Sequence, residues 1–156
     1  MTTSELHRRR RLAAEAYQDV QQFYARQMHV QDLPDVAGWV LTFTEDGTFW
    51  SNAMDAPLVG RDAIEAATVP SARDRAAAGV IRRHVVTTLA VEPREDGDLD
   101  ARSYILVTET RPGESSQLYV STLCEDVLTP AADGWLVRSR RVHLDKLLGS
   151  AAADGS

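Results

Sequence analysis

The spacing of apolar positions changes character near residue 80. Ahead of it, apolar side chains recur every three or four places; beyond it, long runs alternate. Ala13, Tyr17, Val20, Tyr24 and Met28 make one helical stripe, widened by Phe23. That spacing predicts a helix over residues 4–31, with Ser4 and Glu5 as its start signal. Leu33-Pro34-Asp35 breaks it, and Asp35 can cap a short second helix carrying Trp39 and Phe43. Asp46-Gly47 reads as a turn and residues 48–52 as a short strand. Gly60-Arg61-Asp62 opens a helix over residues 63–67, interrupted at Pro70 and taken up again over residues 71–78.

Strand-like runs follow at residues 80–91, 102–110, 117–128 and 135–144. Glu95-Asp96-Gly97-Asp98, Arg111-Pro112-Gly113-Glu114 and Ala132-Asp133-Gly134 separate them. Helices followed by long antiparallel strands give an α+β fold. Such a sheet can curl around the helices as a half-open cone and leave a pocket between the layers. Residues 1–148 are expected to form one domain without internal repeats. Residues 149–156 are small and polar and are expected to be disordered.

The chain's 156 residues are enough to bury a core, and 44% hydrophobic with 26% charged residues is ordinary for a soluble globular protein. A net charge of −6 argues against a nucleic-acid partner. The cluster Arg8-Arg9-Arg10-Arg11 lies among Glu5, Glu15 and Asp19, as on the solvated turns of a helix. The single cysteine, Cys124, excludes an intrachain disulfide and a thiolate metal cluster, and its strand-like surroundings suit a buried structural thiol. No apolar stretch approaches a membrane span and no signal-peptide core follows the arginines, so a cytoplasmic location is expected. Lys146 is the one lysine, a bias of GC-rich genomes.

Candidate chemistry centres on Arg83-His84-Val85-Val86-Thr87-Thr88. Strand parity puts His84, Val86 and Thr88 on one face. If that face lines the pocket, His84 is an imidazole among apolar neighbours, suited to moving protons; otherwise it is a hydrogen-bonded rim or core histidine. His29, near the end of the first helix, either serves as a second acid or base or caps the last carbonyls. Tyr24 either packs in the core or donates to an oxyanion. Asp32 anchors the junction after the helix or acts as a pocket acid. His143 can reach the pocket mouth or lie at the surface, and His7 is solvent-exposed. The histidines sit on separate elements, so no metal is expected, and no phosphate loop or Ser-His-Asp motif is present. The expected chemistry is general acid/base catalysis without a cofactor.

These words, in their order, resemble the SnoaL-like branch of the nuclear-transport-factor-2 superfamily. The matching pieces are Phe23-Tyr24-Ala25-Arg26 with Asp32, Trp39, Phe43-Thr44-Glu45-Asp46, Gly60-Arg61-Asp62-Ala63-Ile64, Arg83-His84, and Asp133-Gly134-Trp135 with Arg140 or Arg141. The resemblance covers roughly residues 15–146 and implies the cone-shaped fold. Scytalone dehydratase is similar in the position of His84; its catalytic aspartate falls at His29, its neighbouring tyrosine at Met28, and its second strand histidine has no counterpart. Ketosteroid isomerase is similar at Tyr24, its oxyanion tyrosine, whereas its base falls near Ser51. The small subunit of ring-hydroxylating dioxygenases, a structural partner, is similar at Gln22-Phe23-Tyr24, Arg83-His84 and Glu125-Asp126-Val127-Leu128. Stand-alone proteins of this type resemble polyketide cyclases of actinomycete aromatic pathways.

The resemblance thus implies a cyclase or dehydratase acting on an aromatic or polycyclic polyketide-like intermediate, or a non-catalytic binding or subunit protein. His84, His29 and Tyr24 are the expected catalytic groups. Asp32, Trp39, Phe49, Trp50, Val86 and Thr88 are expected around a hydrophobic small-molecule substrate. A homodimer through the outer sheet face is expected, since residues 119–124 carry few charges.

Overall fold

The computed structural model describes residues 1–148; the tail assigned to disorder, residues 149–156, lies outside them. The first helix, α1, spans Thr3–Asp32. Thr2 caps it: its hydroxyl accepts the Glu5 N–H while the Glu5 carboxylate accepts the Thr2 N–H, which places the start just ahead of Ser4. Its inward stripe carries Val20, Tyr24, Gln27 and Met28. α2 is Val36–Val40, and Asp35 accepts from the Gly38 N–H at 2.9 Å, as a cap does. Phe43 lies beyond α2, at the start of strand β1, Phe43–Ser51.

β1 is longer than the sequence suggests because the Asp46-Gly47 turn signal is an irregularity inside the strand. Pairing to the last strand shifts register between Phe43 and Thr48. The loop closes so tightly that a Cβ on Gly47 would stand 2.9 Å from the Thr44 carbonyl oxygen and 3.2 Å from that of Val137. β2 is Leu58–Val59, and α3 runs unbroken over Arg61–Ala77. Pro70 does not interrupt α3: both it and Ala66, whose carbonyl loses its N–H partner, are exposed, so water can take the missing bond.

The four predicted late runs are β3 (Ile81–Pro93), β4 (Leu99–Thr110), β5 (Gln117–Ala131) and β6 (Gly134–Leu144), with a short α4 over Asp145–Leu148. They pair antiparallel in succession, and the six-stranded sheet runs β2-β1-β6-β5-β4-β3. β1 joins β6 in parallel. The fold is α+β: a curved open sheet with α1 lying across it, chiefly against β3.

One register break matters for the site. Thr87 pairs with Tyr104 but Ala90 with Arg102, so Thr88 and Leu89 together oppose Ser103 in a β-bulge. Thr88 takes φ 53° there, unusual for a β-branched residue. The bulge resets the alternation. His84 and Val86 face inward before it and Leu89 and Val91 after it, while Thr88 turns out to solvent. The expectation that Thr88 shares a face with His84 is therefore corrected.

The core has two parts. The larger gathers Val20, Tyr24, Trp39, Phe43, Ile64, Leu128 and Val137 between the helices and the sheet, with Trp39 edge-on to Phe43 at 5.1 Å between ring centres. The smaller joins Met28 to Ile105, Val107 and Cys124. Val86 packs against both. Beside the smaller part the apolar filling stops short and a cavity remains.

Candidate active site

The cavity holds about 290 Å³ and opens between the end of α1 and the inner face of β1, β3, β4, β5 and β6. Met28, Phe49, Ile105, Val107, Val120, Val142 and Leu144 give it apolar walls. Its polar groups are Gln31, Ser51, Arg82, His84, Thr122 and Arg140.

His84 is held by Asp32. Strand parity turns the imidazole inward, and the last residue of α1 brings a carboxylate to meet it. Nδ1 lies 2.7 Å from Asp32 Oδ1, and the backbone N–H of His84 donates to the same oxygen at 3.2 Å. The side chains are 16% and 8% exposed. A carboxylate only accepts, so in the neutral imidazole this contact assigns the ring hydrogen to Nδ1 and leaves the lone pair on Nε2. Nε2 makes no hydrogen bond within the described residues. The pair is thus an oriented imidazole with an anion behind it, able to take up a proton and stabilise the imidazolium formed.

Beneath the cavity lies a buried polar network. Arg140 donates to both oxygens of Asp126, through Nε at 2.9 Å and Nη2 at 2.7 Å, and Nη2 also donates to Gln27 at 2.8 Å. Tyr24 donates its hydroxyl to Asp126 at 2.6 Å, and Gln27 passes a hydrogen bond to Thr42. Burial opposes charge on Arg140, but the charge and hydrogen bonds of Asp126, joined by Cys124 and Tyr24, together hold the guanidinium above its ordinary value. Burial, reinforced by Asp126, pushes the Tyr24 phenol and the Cys124 thiol well above theirs. Toward the outer end, Arg82 pairs with Glu109 at 3.0 Å and lies over the Tyr119 ring at 4.1 Å.

The structure divides the residues expected from sequence. His84 and Phe49 line the cavity, and Asp32 stands directly behind His84. Tyr24 lies below the cavity wall rather than on it, and its hydroxyl donates to Asp126 instead of facing the cavity. Trp39 and Val86 belong to the core rather than the cavity wall. Trp50 alternates outward from Phe49 and packs on Arg141 and His143, where His143 meets Glu125 at 2.9 Å. His29 is exposed on α1 and is not brought to His84. A helix turns about 100° per residue, so Met28, Gln31 and Asp32 face the sheet while His29 points away. Sequence reasoning misses Gln31, Arg82 and the floor role of Arg140. A 140–126 ion pair leaves no local motif, and the nearest signal is Arg140 in the closing words of the resemblance. Among the described residues no group of three or more His, Cys, Asp or Glu side chains could hold a metal, and no helix is long and apolar enough to cross a membrane.

With this fold and cavity in place, comparison with known proteins gives the class. Residues 12–141 match the SnoaL-like domain, and the chain belongs to that family. It is similar to Aln2 from a Streptomyces species, with 31% identity over 88% of this chain and 96% of that one and a TM-score of 0.80. It is similar to ActVI-ORFA from Streptomyces coelicolor, with 35% identity over 84% and 98% of the two chains and a TM-score of 0.75. A protein from Catenulispora acidiphila, solved in complex with S-DNPA, is 36% identical over 88% and 98% at a TM-score of 0.75. An NTF2-like protein with a cystatin-like fold from Novosphingobium aromaticivorans, 22% identical over 99% and 97% of the two chains with a TM-score of 0.73, shares the fold. Comparison with curated proteins finds no match.

Proposed function

We propose that the protein is an acid/base enzyme of the cyclase or dehydratase type, working without a cofactor on an aromatic polyketide-like intermediate. The observation that carries this reading is the Asp32–His84 pair at the wall of an apolar cavity. His84 Nε2 removes a proton from carbon next to a carbonyl, and Asp32 stabilises the imidazolium. The same imidazolium returns the proton either to a hydroxyl departing as water or to the alkoxide left when the carbanion closes a ring on a second carbonyl carbon. The apolar walls suit fused rings, and similarity to Streptomyces proteins and to the S-DNPA complex supports that substrate class.

The test is incubation with aromatic β-hydroxy ketones in D₂O, followed by mass spectrometry. Loss of water, ring closure or deuterium gain beside the carbonyl, abolished in His84→Ala, is the expected result. Tight binding of S-DNPA with no turnover of any such ketone would instead favour a binding protein. We also propose a homodimer through the outer sheet face, where Val85 and Tyr104 are exposed. Light scattering should then give twice the chain mass of 17.2 kDa, and the single-chain mass would contradict it.

A further inference from the structure

Two polar side chains in the cavity have hydrogen-bonding capacity that the protein leaves unused. Arg140 is 3% exposed, and its Nε and Nη2 are committed to Asp126 and Gln27. Its Nη1, with two N–H groups, makes no hydrogen bond within the described residues, although Arg140 lines the cavity. Gln31 lines the same cavity, and its buried Oε1 has no partner. Native proteins rarely leave a buried polar atom unmatched, so Gln31 Oε1 calls for a partner, and the open Nη1 edge of Arg140 lines the same cavity.

The electrostatics point the same way. Asp126 accepts from Tyr24, from both Arg140 nitrogens and from Cys124. A carboxylate offers about four lone-pair positions, so these donors saturate it. Asp126 therefore fixes Arg140 from the side of the Nε–Nη2 edge and leaves the Nη1 edge cationic and rigid. Donors held in advance in a water-poor site are what stabilise an oxygen that gains charge during reaction.

Resting on the acid/base reading above, we propose that Arg140 is the oxyanion-binding residue of this cavity. It takes the enolate or phenolate oxygen of a two- or three-ring aromatic substrate, and Gln31 pairs with a neighbouring hydroxyl. This gives Arg140 the role that the sequence suggested for Tyr24. Proton removal by His84 places negative charge on the substrate oxygen, and the guanidinium receives it without reorganising. The substrate class follows: a hydroxylated aromatic ketone whose conjugate base is an enolate or phenolate, rather than an aliphatic alcohol or a cation.

The probe is 2-naphthol, whose ionisation is read by absorbance, with 2-methylnaphthalene as the isosteric control. On the wild-type protein, bound 2-naphthol should ionise at a pH at least about one unit below that of the free compound, a roughly tenfold shift toward naphtholate. Arg140→Lys keeps a charge for Asp126 but cannot also reach the cavity as a fork. There the shift should vanish while 2-methylnaphthalene binding stays within about twofold. If that variant does not fold, the wild-type spectrum alone decides. Bound naphthol that stays protonated as in water, a shift that survives Arg140→Lys, or no naphthol binding would each overturn the proposal. A naphtholate shift without His84-dependent turnover would sink the acid/base reading and leave the anion site standing. Turnover without the shift would do the reverse.

Discussion

The Asp32 carboxylate meets His84 at two atoms, the ring Nδ1 at 2.7 Å and the backbone N–H at 3.2 Å. The double contact fixes the ring to its own strand and sets which nitrogen faces the cavity. It also couples the last residue of α1 to the inner face of β3, so helix and sheet position the site jointly.

Asp32→Asn keeps the shape of this contact but removes the charge behind the imidazole. The rate should fall on the order of 10²–10⁴, as when the aspartate behind a catalytic histidine is neutralised. Steady-state kinetics with unchanged circular dichroism check it. Wild-type activity in Asp32→Asn would reduce Asp32 to a helix anchor.

His29→Ala is the matched control. Because His29 is exposed and lies off the cavity wall, its loss should leave the rate within about twofold and stability within about 0.5 kcal/mol. A drop comparable to that of Asp32→Asn would return His29 to the site.

The buried network sets a stability prediction. Arg140→Met leaves the Asp126 carboxylate buried and unpaired, which should cost about 3–5 kcal/mol. Adding Asp126→Leu removes the stranded charge and should recover much of that loss. Urea unfolding of the single and double variants decides the matter, and a double variant less stable than Arg140→Met would contradict it.

Alkaline pH should unfold the protein by a defined route. The folded Tyr24 and Cys124 hold their protons more tightly than the unfolded chain does. Their contribution is complete below their ordinary values of 10.0 and 9.0 and is lost as pH climbs past them, since the unfolded state releases those protons first. Each group adds a slope of up to about 1.4 kcal/mol per pH unit. Tyr24→Phe should flatten the decline of the urea midpoint above pH 10, and a slope identical to wild type would contradict it.

Much of this was legible in the sequence, for local reasons. The stripe from Val20 to Met28 fixes which side of α1 is buried, although Tyr17, expected on it, is exposed where the helix runs past the sheet. The turn residues delimit β3 to β6, and alternation turns His84 inward. The misses have causes that lie elsewhere in the chain. Thr88 escapes the alternation because a bulge depends on pairing with β4, not on the β3 sequence. Asp32 becomes the partner of His84 through a contact 52 residues apart, and Arg140 reaches Gln27 across 113. Tyr24 stands at the sequence position of the isomerase's oxyanion tyrosine, but its hydroxyl lies below the cavity and donates to Asp126, 102 residues away.

The central claim, that His84 moves the proton, is tested most directly by chemical rescue. His84→Ala should lose on the order of 10²–10⁴ in rate on an aromatic β-hydroxy ketone while remaining folded, and added imidazole should enter the vacated space and restore part of it. A folded His84→Ala variant that turns over at the wild-type rate, with or without imidazole, would contradict it.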